Sequence, residues 1–171
     1  MAGQRDLFDP LAALKALDRR VVAYVVVGGL GRVIHGSDEL TDGLDIVPSL
    51  RAENLARLEL ALEDLNASRS DGKRLALERD LEQMAVLEFE TDAGELKLVP
   101  EPAGTGGYDD LRRAARREPL GQGLRPQVAS LGDQARMLAA LDREQDLEAL
   151  RTLRRLIELE QSISRGIDLG L

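Results

Sequence analysis

The sequence predicts an α/β (α+β) domain, a mixed sheet flanked by helices and followed by a helical C-terminal part. Three stretches lead there. Residues 25–48, VVVGGLGRVIHGSDELTDGLDIVP, pass from a β-branched run through two glycines into a short amphipathic segment, then into a second apolar run holding one acid. Residues 86–99 alternate apolar and charged positions on either side of Asp92-Ala93-Gly94, the pattern of an antiparallel hairpin. Beyond residue 128 the apolar spacing is helical up to about residue 165. A chain of 171 residues with 43% hydrophobic content fits one domain over residues 1–171, with an α/β core over about 1–128 and C-terminal helices over about 129–165.

Each element follows from local chemistry. Asp9 and Pro10 precede Leu11, Leu14 and Leu17, so a first helix begins with Asp9 as its cap and Pro10 at its first position. Residues 25–27 form a strand that stops at Gly28 and Gly29. Leu30, Val33 and Ile34 give a short helix, and residues 44–47 a second strand. Leu55, Leu58, Leu62 and Leu65 continue as a helix, which completes a strand, helix, strand, helix unit. Residues 66–73, NASRSDGK, read as a polar, flexible loop, and residues 75–84 as a short helix. In the hairpin, Leu87 and Phe89 point one way and Glu88 and Glu90 the other. Residues 100–107, PEPAGTGG, carry too much proline and glycine for regular structure.

Asp109 and Asp110 open a helix in which Arg112 and Arg116, and Arg113 and Arg117, stand four apart on one side, a candidate contact for RNA or phosphate. Residues 127–130 add a short edge strand, and Ser130 caps a helix over 131–141. A last helix, 145–165, carries Leu147, Leu150, Leu153, Leu156, Ile157 and Ile163 on an apolar stripe, and the final residues fray.

Composition narrows the function. No apolar run is long enough to span a membrane, the first residues lack a signal-peptide core, and the absence of cysteine removes disulfides and thiolate metal sites. The expectation is a cytoplasmic protein. A net charge of −8 argues against a surface broadly attractive to nucleic acid, and the 2% aromatic content leaves no platform for stacking bases.

The stretch 25–48 carries the chemistry. Two glycines between strand and helix let the backbone approach a ligand closely, and free amides at a helix start favour an anion such as phosphate. Asp45, between Leu44 and Ile46, points away from both, as an acid on the polar face of a strand presents a metal ligand. A tight turn with a solvated acid reads equally well from the residues alone. His35, the one histidine, ends the short helix in a packing or capping role.

Gly28, Gly29, His35, Gly36, Thr41, Leu44 and Asp45 together resemble the motif of polymerase-β-type nucleotidyltransferases, and more narrowly that of AbiEii-like toxins of type IV toxin–antitoxin systems. The similarity extends to GELKLVPEPAGTGGYDDL at 94–111 and ASLGDQARMLAALDREQDLEAL at 129–150. It implies a nucleotidyltransferase-like sheet and a nucleoside triphosphate with Mg2+. The nucleotide would be held by Gly28, Gly29, Arg32, Ser37, Thr41 and Lys97, and the metal by Asp45 with Asp42 or Glu95. Asp45 and Asp146 would be the catalytic residues, Asp146 orienting the nucleophile. The implied partners are tRNA or another RNA and a cognate antitoxin or other protein. Three positions depart from the pattern: Gly43 stands where the first metal-binding acid belongs, Lys97 where a third acid belongs, and Leu138 replaces a lysine.

Nucleotidyl transfer needs carboxylates that converge on metal ions at the reacting phosphate. A lysine beside that position repels a divalent cation by several kcal/mol at an effective dielectric of ~20. Asp42, adjacent to Gly43 on a strand, is expected on the opposite face unless the chain bulges. Three readings follow: an active, divergent nucleotidyltransferase; a relative that binds a nucleotide or phosphate without chemistry, with Lys97 as an anion contact; and a protein-interaction module that keeps only the scaffold.

Overall fold

The computed structural model describes residues 8–168. Helix α1 (Pro10–Arg19) begins as its sequence dictates: the Asp9 side chain accepts a 3.0 Å hydrogen bond from the Ala12 amide, and proline occupies the first turn. The central motif follows as β1 (Tyr24–Val27), α2 (Gly28–Ile34) and β2 (Gly43–Pro48), the two strands pairing antiparallel with Val27 opposite Asp45. Next come α3 (Ala52–Asp64), β3 (Ser68–Arg69) and α4 (Leu77–Glu82), then the hairpin β4 (Leu87–Thr91) and β5 (Gly94–Leu98). A one-turn α5 (Tyr108–Leu111), β6 (Arg116–Arg117), β7 (Gln127–Val128), α6 (Leu131–Leu141), a 3-10 turn (Glu144–Asp146) and α7 (Leu147–Asp168) complete the chain.

The seven strands lie in the order β3-β4-β5-β2-β1-β7-β6, with β2–β5 and β1–β7 parallel and the other neighbours antiparallel, so the sheet is mixed as the sequence predicts. Strand alternation sorts the side chains into two cores. Val26, Leu44, Ile46, Leu96 and Leu98 join Leu14 and Leu17 of α1 and Leu58 and Leu62 of α3 in the larger one. Val25, Val27 and Val47 meet Leu111, Ala129 and Met137 in the smaller one. Asp45 and Lys97 alternate with Leu44, Ile46, Leu96 and Leu98, so they share the second face.

One buried side chain braces the central strands. Asn54, 3% exposed on α3, accepts from the Ala23 amide at 2.7 Å and donates to the carbonyls of Ala23 (2.9 Å) and Ser49 (2.8 Å). It joins the entrance of β1 to the exit of β2, at the end of the pair opposite Val27 and Asp45.

Four sequence expectations are corrected. The polar loop at 66–73 contains β3, which pairs with β4 because Arg69 is held between Asp71 and Asp80 at 2.7 and 2.5 Å. The helix expected to align four arginines stops at Leu111, and Arg116 and Arg117 continue as β6. Ala115 packs in the smaller core, and the chain turns there to reach β7, so the i,i+4 arginine pairs do not form. Strand β7 is not an edge, since β6 covers it. The stripe on α7 faces α6 only through its first half: Leu150 and Leu153 are buried, whereas Leu159 and Ile163 are each 58% exposed. The fraying expected of the last residues falls at 169–171, outside the described residues.

Candidate functional site

A row of side chains crosses three strands on the second face. The registers Glu88↔Lys97 and Lys97↔Asp45 set an acid, a base and an acid side by side, with Val27 next in line. Lys97 Nζ lies 3.7 Å from Glu88 Oε1, an exposed pair that contributes little. The neighbouring row is Glu90, Glu95 and Gly43. Burial pushes the Asp45 carboxyl above the ordinary aspartate range, while the positive charges of Lys97 and Arg32 pull it back down.

Gly28 makes this arrangement possible. It has φ +69, and a Cβ there would collide with the Asp45 carboxylate, so the strand-to-helix turn closes directly onto that acid. The Asp45 side chain therefore packs against the glycine turn, as the motif predicts.

In front of Asp45 opens a cleft of about 280 Å³ between α2, β2 and β5, with Gly29, Arg32, Thr41, Asp42 and Lys97 among its walls. Arg32 is already engaged: its Nε and Nη2 donate to Glu39 at 2.8 to 3.1 Å, and the Ser37 hydroxyl donates to the same carboxylate at 2.8 Å. The hydrogen bond from Arg32 holds the Glu39 carboxyl below its usual range despite partial burial. Thr41 Oγ1 donates to the Gly43 carbonyl at 3.1 Å and shapes the approach to β2.

The sequence-derived residues divide accordingly. Gly29, Arg32, Thr41, Asp42, Asp45 and Lys97 line the cleft, and Gly28 backs it. Asp42 shares the cleft with Asp45 without any bulge, because β2 begins at Gly43 and strand alternation does not reach residue 42. Ser37 does not line the cleft and acts on it through Glu39. Asp146 lies in the 3-10 turn, paired with Arg143 at 2.6 Å, and it is Arg143 that reaches the cavity behind Asp45. His35 Nε2 donates to the Ala129 carbonyl at 2.7 Å, tying the end of α2 to the start of α6. Sequence reasoning missed Glu39, whose spacing of seven from Arg32 across a loop gives no periodic signal, and it missed Gln134 and Arg143 altogether.

The residues do not fit a resident divalent ion. Asp42, Asp45, Glu88 and Glu95 reach the cleft, yet among the described residues no three acids or histidines are grouped to hold a metal. The ammonium of Lys97 sits in register between two of those acids.

No family model matches the sequence, and no curated protein matches it either. Solved structures do. The lincomycin-bound lincosamide antibiotic adenylyltransferase LnuA superposes with a TM-score of 0.59 at 17% identity, covering 88% of this chain and 99% of that one. This chain has the nucleotidyltransferase fold. The same fold is seen in TM1012 of Thermotoga maritima, assigned as a nucleotidyltransferase, with a TM-score of 0.58, 18% identity and coverage of 87% and 96%. It recurs in the antibiotic-resistance factor ANT(2'')-Ia, with a TM-score of 0.56, 14% identity and coverage of 94% and 91%. Within the nucleotidyltransferase fold of this chain, no described helix is long and apolar enough to cross a membrane.

Proposed function

We propose that the cleft binds a nucleoside triphosphate and that the chain is a divergent, toxin-like nucleotidyltransferase acting on an RNA or protein acceptor. The observation that carries this reading is the Asp45 carboxylate packed against the Gly28 turn, on the polar face of β2 in a nucleotidyltransferase fold. An acceptor hydroxyl attacking the α-phosphate forms a P–O bond, breaks the bond to the β-phosphate and releases pyrophosphate. Asp45 is our candidate to take the hydroxyl proton, since burial raises its proton affinity. Lys97 and Arg32 offer positive charge to the phosphate oxygens, with Gly28, Gly29, Ser37 and Thr41 shaping the wall. Asp146 positions the acceptor side through Arg143.

Five carboxylates against two cations line the cleft, an excess of three negative charges that repels a bare triphosphate. Mg2+ therefore enters this reading as the counter-ion of the incoming nucleotide, and no step is assigned to a bound metal. We assign an RNA acceptor to Arg112, Arg113, Arg116 and Arg117, all exposed. The register of Lys97 with Asp45 favours a second reading, nucleotide binding without transfer, in a chain that partners another protein such as an antitoxin.

Incubation with each labelled nucleoside triphosphate, Mg2+ or Mn2+, and total RNA or protein tests the proposal. Label incorporated by the natural chain and lost in Asp45→Asn supports transfer. No label with any of the four nucleotides, where an active nucleotidyltransferase labels the same mixture, removes it. A melting temperature raised by ATP would then leave the binding reading, and no shift would remove both.

A further inference from the structure

At the end of β1 away from Asp45, where Tyr24 rather than Val27 pairs with β2, a separate pocket of about 200 Å³ opens between the close of α1 and the β6–β7 hairpin. Lys15 of α1 donates to Gln122 in the hairpin loop, which fastens the two together. Leu14, Val22, Leu124 and Pro126 form the apolar side of the pocket. Asp18, Arg117 and Arg125 bring charge to it, and none of the three is ion-paired among the described residues. Arg117 Nη1 donates to the Arg125 carbonyl at 3.2 Å, so both guanidinium groups remain without an acid. The pocket shares no residue with the cleft.

Tyr24 supplies the second observation. It is 9% exposed, lines the pocket, and its hydroxyl meets no hydrogen-bond partner among the described residues. That hydroxyl is not sealed as the Gln134 amide is, so it reaches solvent, and the space it reaches is this pocket. Burial, and after it the charge of Asp18, push its proton affinity well above the usual tyrosine range while Arg117 opposes them, so it stays a neutral donor between opposite charges. Tyr108, the other tyrosine of the chain, lines the same pocket, and the fold thus brings together two aromatics that lie far apart in sequence. At the rim Val21 is 71% exposed and holds φ +55, a costly conformation for a β-branched residue and of the kind that gathers at ligand sites.

We infer that this pocket receives one guanine nucleotide, with the base inside and the phosphate at the mouth. A volume of about 200 Å³ holds one ring system and falls short of the roughly 300–1,000 Å³ of drug-sized sites. Guanine presents N1–H and its 2-amino group side by side, two donors that one carboxylate accepts together, and Asp18 is the acid they meet. Its O6 accepts from the Tyr24 hydroxyl, and its ring lies against Tyr108. Adenine or cytosine would set a ring-nitrogen lone pair against Asp18, a repulsive contact. Arg117 and Arg125, both exposed, take the phosphate. A free nucleotide and an unpaired guanosine of an RNA share this chemistry, since unstacked bases of RNA are read by an aromatic ring and by bonds along one edge. Nothing in the pocket depends on transfer in the cleft.

GMP, AMP and guanosine are titrated into the full chain by calorimetry with EDTA present, since the acid-rich cleft repels a phosphate that brings no Mg2+. GMP is expected to bind saturably at one site, about fivefold or more tighter than AMP or guanosine. Asp18→Asn should narrow the gap between GMP and AMP, and Arg125→Gln the gap between GMP and guanosine; both side chains are exposed and unpaired, so the fold does not rest on them. Asp45→Asn, in the cleft, should leave GMP binding as it is. The pentaribonucleotide UUGUU separates the two sources, binding more tightly than GMP where RNA supplies the base and less tightly where a free nucleotide does. No saturable GMP binding, equal affinity for GMP, AMP and guanosine, a GMP affinity unchanged in both Asp18→Asn and Arg125→Gln, or its loss in Asp45→Asn would overturn the inference. Labelling by nucleoside triphosphates reports the cleft alone, so either reading can fail while the other stands.

Discussion

Replacing Gln134 by methionine is expected to make the free protein more stable. The residue is 1% exposed and its Nε2 lacks a partner, so the folded state bears the desolvation of an N–H group that water satisfies in the unfolded chain. Removing that group recovers about 1–3 kcal/mol. Methionine keeps the length of the side chain, and its pliable thioether suits the room beside Gly31. For a chain of this length each kcal/mol moves the melting temperature by about 2–4 °C. Equilibrium unfolding in urea should show a higher midpoint at an unchanged slope. A variant destabilised by about 1 kcal/mol or more would refute the reasoning, since the amide would then be satisfied within the fold.

Asn54→Ala should cost about 3 kcal/mol in the same assay, roughly one for each of its three buried hydrogen bonds, and a loss below 1 kcal/mol would contradict the bracing role. Glu39 has a carboxyl held below its usual range by Arg32, so its contribution is present above the unfolded value, near pH ~4.3, and is lost as pH falls through the folded one. The stability gap between the natural chain and Glu39→Gln should accordingly close on acidification, as urea midpoints from pH 7 to 3 would record. Lys97→Met removes the larger of the two charges that oppose the burial of Asp45, so the Asp45 carboxyl should titrate at higher pH by carbon NMR. Because a raised folded value loses stability as pH rises through it, the penalty of that variant should grow from acid toward neutral pH. Gly28→Ala combines a φ of +69 with a clash against Asp45 and should lose about 1–3 kcal/mol, read by thermal melting.

Local chemistry carried the sequence reading furthest where a residue and its reason lie close together. Asp9 and Pro10 start α1, Ser130 caps α6 by accepting from the Asp133 amide at 3.0 Å, and the flanking leucine and isoleucine turn Asp45 to the polar face. The arginines misled because four-residue spacing is a property of helices, and whether a helix persists past Leu111 depends on Ala115 finding a core far away in sequence. Strand β3 was illegible for the same kind of reason: Arg69 is fixed by Asp80, eleven residues on, across a loop of polar composition. The cleft could be anticipated from the glycines and one acid. The buried amide of Gln134 could not, because it gains its position from Gly31, across the interface of α2 and α6, and nothing in the spacing of α6 distinguishes an orphaned amide from a solvated one.

The parallel pairing of β2 with β5 has a consequence for how the protein comes into being. Asp45 and Lys97 are adjacent in space, but two helices, a short strand and half of a hairpin are threaded between them along the chain. Closing so long an excursion is entropically slow, whereas the β4–β5 ribbon assembles from neighbours. The charged row therefore comes together only after the ribbon docks on β2, and capture of a nucleotide would mark the completion of folding rather than any earlier stage.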